Sequence, residues 1–76
     1  MIISVLISGM VQGIGFRPFV YRIAVKRNLV GSIRNLRDSS VEIIVQGDEK
    51  SIYSFLDELI NNKPPLASYA DIKKKT

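Results

Sequence analysis

The chain has 76 residues, 46% of them hydrophobic and 24% charged, and a formal net charge of +4. That is one domain, with too little volume for two cores and too much apolar content for disorder. It has no cysteine and no histidine, which excludes disulfides, thiolate metal sites and any mechanism that needs an imidazole as base or ligand.

Residues Met1 to Ile7 are apolar but lack a basic leader region, and Ser4 interrupts them. They read as a strand rather than a signal peptide, and no run in the chain is long enough to span a membrane. The expectation is a soluble, cytoplasmic protein. Ile3, Val5 and Ile7 alternate on one face while Ile2 and Leu6 fall on the other, as in a central strand buried on both sides.

The stretch Gly9-Met10-Val11-Gln12-Gly13-Ile14-Gly15-Phe16-Arg17-Pro18-Phe19 follows. Glycine admits positive φ and lets backbone approach a ligand closely. Pro18 suits the first turn of a helix and biases Arg17 away from helical geometry, so Arg17 is expected at the joint between loop and helix. Converging main-chain N–H groups, a helix N-terminus and a guanidinium make a good cradle for an anion. The spacing fits neither a P-loop, which needs Gly-Lys-Ser/Thr, nor the Gly-x-Gly-x-x-Gly dinucleotide fingerprint. Spacing alone leaves two readings open, an anion site or a glycine-rich turn beside a surface arginine.

A helix is expected from Phe16 to Asn28, with Phe16, Val20, Ile23 and Ala24 as its apolar stripe and Lys26 and Arg27 at its negative end. Strand character resumes over Val30–Asn35, with Gly31, Ile33 and Asn35 on one face. Leu36–Ser40 is a turn, and Val41–Gln46 is a second strand of the same antiparallel hairpin. Asp48 is a credible N-cap for a helix whose stripe is Ile52, Phe55, Leu56, Leu59 and Ile60, ended by Pro64-Pro65. A short last strand is expected over Tyr69–Lys73. Three of the eleven basic residues are Lys73, Lys74 and Lys75, and setting them aside lowers the +4 to +1. Lys73 to Thr76 is therefore expected as a frayed tail rather than a nucleic-acid patch. The order β-α-β-β-α-β gives an α+β, ferredoxin-like domain, with both helices on one face of a mainly antiparallel sheet.

The block Gly9-x-Val11-Gln12-Gly13-Ile14-Gly15-Phe16-Arg17 resembles the signature loop of acylphosphatases, small enzymes of this topology. Gly31-Ser32-Ile33-Arg34-Asn35 with Val41-Glu42 resembles that family's second motif, and the likeness runs from about residue 3 to 72. Arg17-Pro18-Phe19-Val20-Tyr21 and Pro64-Pro65-Leu66-Ala67 look like one branch, the N-terminal domain of the hydrogenase-maturation carbamoyltransferase. On that likeness the chain would be an excised domain of the larger enzyme or a small free-standing relative. Family members usually carry a further extended segment after residue 72, and Ser39 stands where a glycine is usual.

The resemblance implies hydrolysis of a carboxyl–phosphate bond, with carbamoyl phosphate as one candidate substrate. Arg17 and Asn35 match the family's catalytic arginine and asparagine. Gln12, Gly13, Ile14, Gly15, Phe16 and Arg17 would hold the phosphoryl oxygens, and Asn35 would place the attacking water. No metal or other cofactor is called for, and the implied partner is a small acyl phosphate or inorganic phosphate. A non-catalytic phosphate-binding module of the carbamoyltransferase would carry the same residues. An RNA-binding domain of this topology is disfavoured, because residues 3–7 and 41–46 contain no aromatic side chain.

Overall fold

The structure is a computed structural model and describes residues 1–13 and 15–76. The elements run β1 (Ile2–Met10), α1 (Phe16–Val25), β2 (Val30–Asn35), β3 (Val41–Gln46), α2 (Glu49–Asn61) and β4 (Ser68–Lys75). The sheet order is β2-β3-β1-β4, and every pairing is antiparallel. This is the expected ferredoxin-like arrangement.

Alternation decides which side of the sheet is covered. Ile3, Val5 and Ile7 of β1 and Val41, Ile43 and Val45 of β3 are all buried, and they meet Phe16, Val20 and Ile23 of α1 and Ile52, Phe55 and Leu59 of α2. Removing a side chain the size of Phe16 or Phe55 from water is worth about 2–3 kcal/mol each. Burial of β1 on both faces is not what forms: Ile2 is 54% exposed. Both helices pack on one side, so the other face of β1 has no layer to bury against.

The first helix ends at Val25, sooner than the expected Asn28. The Leu29 N–H donates to the Ala24 carbonyl at 3.0 Å and the Asn28 N–H to that of Val25 at 3.0 Å, while Asn28 has φ 57°. That is a Schellman stop, with asparagine in the left-handed position and buried Leu29 just beyond it. Arg27 Nη1 donates to the Ile23 carbonyl at 3.2 Å, satisfying one of the last helical acceptors. In α2, Ile60 lies at the margin of the stripe and is 37% exposed.

The lysine run is not a frayed tail. Lys73, Lys74 and Lys75 pair with Leu6, Val5 and Ser4 of β1. Main-chain pairing to a central strand outweighs the side-chain charge, and lysines are well suited to a solvated edge because they discourage pairing with other chains. Ile72, opposite Ile7, packs against the core.

Candidate active site

A bulge between Ser8 and Gly9 in the β1–β4 pairing carries β1 on to Met10. Gly9 and Met10 thus belong to the strand, and the connection to α1 begins at Val11, whose side chain is fully buried and anchors it. Gly13 and Gly15 have φ 73° and 80°, and a Cβ on either would meet nothing within 4 Å. Left-handed backbone, not lack of room, is what requires glycine at these two positions. Gly15 is the N-cap of α1 and supplies no side-chain cap. The first helical bond runs from the Phe19 N–H to the Gly15 carbonyl at 3.2 Å. The amides at the start of α1 therefore have no intrahelical acceptor, and Pro18 has no N–H to satisfy.

Arg17 sits inside α1 rather than at a joint before it, with Pro18 third in the helix. The bias against helical geometry before proline is a preference, and in a first turn there is no preceding carbonyl for the ring to strike. The first turn has no acidic residue, so a cation stands at the positive end of the helix dipole without a compensating carboxylate on its own helix. Among the described residues the ion pairs use Lys26 and Arg27 with Glu58, Arg34 with Glu42 and Lys73 with Asp71; Arg17 enters none. Arg17 and Asn35 are both exposed.

A hollow of about 290 Å³ is lined by Val11, Gln12, Gly13, Gly15, Phe16, Arg17, Pro18 and Asn35. The structure thus brings together the loop, the start of α1 and the last residue of β2. Phe16 contributes backbone only in effect, because its ring is buried edge-on to Tyr69, with centroids 5.9 Å apart. Ile14, expected among the phosphate contacts, lies outside the described residues. The Gln12 side chain faces the hairpin: Nε2 donates to the Ser40 carbonyl at 3.0 Å and the Leu36 carbonyl at 3.3 Å. No local pattern in the sequence signals that link, since its partners lie 24 and 28 residues away. Beside it, Asp38 accepts from the Ser40 N–H at 3.1 Å and from the Ser40 hydroxyl, and these two bonds hold its carboxyl below the usual range.

These features define a small α+β domain with a glycine-lined hollow at the junction of β1, α1 and β2. The family model for acylphosphatase matches residues 3–76. A probable carbamoyltransferase HypF of Methanocaldococcus jannaschii is 48% identical over 65 residues, which is 86% of this chain but 8% of that protein. An acylphosphatase of Bacillus subtilis is 41% identical over 68 residues, 90% of this chain and 74% of the relative. The crystal structure of acylphosphatase from Bacillus subtilis superposes with a TM-score of 0.90 at 37% identity, covering 99% of this chain and 83% of that one. The chain belongs to the acylphosphatase family. Domains of that family occur both in proteins of about its own length and within far longer ones.

Proposed function

We propose that this domain cleaves the carboxyl–phosphate anhydride of acyl phosphates, giving a carboxylate and inorganic phosphate. The observation that carries the reading is the shared hollow of Arg17 and Asn35 beside Gly13 and Gly15. Main-chain amides of residues 12–16 and the planar guanidinium of Arg17 would grip the phosphoryl oxygens. Asn35 would hold a water in line with the bond to the acyl oxygen. As the water oxygen bonds to phosphorus, the bond to the acyl oxygen breaks and the carboxylate leaves. The water's proton passes to a phosphoryl oxygen, because neither an arginine nor a carboxamide can accept it. A good leaving group makes positioning and charge stabilisation sufficient for such a transfer. The cytoplasmic setting expected from the sequence goes with this reading.

Turnover of acetyl phosphate by the wild type, Arg17→Ala and Asn35→Ala tests it. Loss of the arginine is expected to abolish inhibition by inorganic phosphate and lower kcat/KM by about 10³-fold. Loss of the asparagine is expected to leave phosphate inhibition in place and lower kcat by about 10²-fold. A folded wild type that binds phosphate without turnover would overturn hydrolysis. The similarity to a probable carbamoyltransferase favours a second reading, in which the same cradle serves carbamoyl phosphate within a larger enzyme. A kcat/KM for carbamoyl phosphate well above that for acetyl phosphate would favour it.

A further inference from the structure

We infer that Gln12 is a positioning residue for Asn35, an inference that rests on the hydrolytic reading above. Its half-buried side chain joins two parts of the hollow that are otherwise separate in the chain. Gln12 lies in the loop before α1, and its Nε2 donates to both Leu36 and Ser40 of the hairpin that follows Asn35. The hairpin closes by its own bonds: Leu36 N–H to the Ser40 carbonyl at 2.8 Å, and Ser39 N–H to the Leu36 carbonyl at 3.2 Å. Both carbonyls therefore already have a main-chain donor, and Gln12 occupies their second lone pairs. Removing it strands no buried acceptor on the hairpin side, so little stability depends on it. What depends on it is lateral register. Among the described residues, the two bonds of the Gln12 amide are the side-chain hydrogen bonds from the loop carrying Gly13 and Gly15 to the turn that follows Asn35. Without it, the carboxamide that places water and the amides that hold phosphate would drift relative to each other.

Gln12→Ala and the isosteric Gln12→Glu test this in the full chain, with acetyl phosphate as substrate and inorganic phosphate as inhibitor. A misplacement of the order of 1 Å can reduce turnover by about 10²-fold, so kcat is expected to fall by about 10- to 100-fold in both. The phosphate inhibition constant should change by much less than kcat, because the main-chain amides and Arg17 that hold phosphate are retained. In an Asn35→Ala background, Gln12→Ala should have no further effect on kcat. At neutral pH the carboxylate introduced by Gln12→Glu offers no donor to the two carbonyls. Once protonated it offers one, so the activity of that variant relative to wild type should rise on acidification. In amide NMR spectra, the Asn35 side-chain and Leu36 to Ser40 signals should shift or broaden in both variants.

Unchanged kcat, an equal loss in the Asn35→Ala background, or phosphate affinity falling in step with kcat would each overturn the inference. Should the wild type fail to turn over any acyl phosphate, the hydrolytic reading fails. The tie is then judged by the spectra alone, and unmoved Asn35 signals in the two variants refute it.

Discussion

The Tyr69 hydroxyl donates to the Leu59 carbonyl at 2.7 Å, fastening β4 to the last turn of α2. The same ring packs edge-on against Phe16 at the start of α1, so one side chain braces three elements behind the hollow. Burial pushes the phenol up to about 12 from its ordinary 10. A phenol whose folded pKa lies above its unfolded value keeps its full contribution below the unfolded value and loses it as pH rises towards the folded one. Stability is thus expected to fall from about pH 10 towards pH 12 more steeply in the wild type than in Tyr69→Phe. At neutral pH the phenylalanine variant should be weaker by about 1 kcal/mol for the lost hydrogen bond. Urea midpoints of the two proteins across that range decide it; parallel curves would remove the phenol from the explanation.

Asp48 caps α2, accepting from the Ser51 N–H at 2.7 Å and the Ser51 hydroxyl at 3.0 Å. Asp48→Ala is expected to destabilise the fold measurably, through loss of the cap. The Ser51 bonds hold the Asp48 carboxyl below its usual range, so the cap's contribution is present above the unfolded value and disappears as pH falls through the folded one. Wild type and variant should therefore differ at pH 7 and converge in acid. A gap that persists at pH 2 would mean the cap acts by something other than its charge.

The element order could be read from the chain because each boundary has a local cause. Asp48 marks the start of α2, alternation marks β1 and β3, and the glycines mark the turn before α1. Three features could not be read locally. Strand β4 runs on through Lys75 because its partner is β1, some 70 residues earlier, and lysine propensity argues against it. Helix α1 stops at Val25 because Asn28 takes a left-handed conformation, and an apolar stripe that already ends at Ala24 does not fix that boundary. Gln12 looks like one more member of the loop until its hairpin partners come into view. Arg17 and Asn35 stand out by type and by likeness to a family, but their common hollow is a product of the β1–β3–β2 pairing.

Ser39 has φ 71°, in the left-handed region, at the hairpin tip. A side chain there costs about 1–2 kcal/mol, and glycine relieves it at an entropic cost of about 0.5–1 kcal/mol in the unfolded chain. Ser39→Gly is expected to raise stability by up to about 1.5 kcal/mol, the difference of those two effects. The Ser39 N–H bond to the Leu36 carbonyl is unaffected by the change. Chemical denaturation of both proteins measures it, and a variant less stable than wild type would show that the serine side chain contributes something its exposure does not reveal.

Among the described residues that line the hollow there is no carboxylate, imidazole, thiol or amine, and Arg17 carries the charge. If the domain hydrolyses acyl phosphates as proposed, kcat/KM should be flat from about pH 5 to pH 9, apart from ionisation of the substrate's own phosphoryl group. Two substitutions sharpen the expectation. Arg17→Lys keeps the charge but not the planar fork that meets two phosphoryl oxygens, so it should recover little of what Arg17→Ala loses. Asn35→Asp places a carboxylate beside the phosphoryl dianion. It should weaken phosphate inhibition at neutral pH and regain activity in acid, as the protonated carboxyl resumes hydrogen bonding to water. A pronounced pH optimum in the wild type would point to a titrating group outside the hollow, and an Asn35→Asp variant with wild-type turnover at pH 7 would take Asn35 out of the reaction.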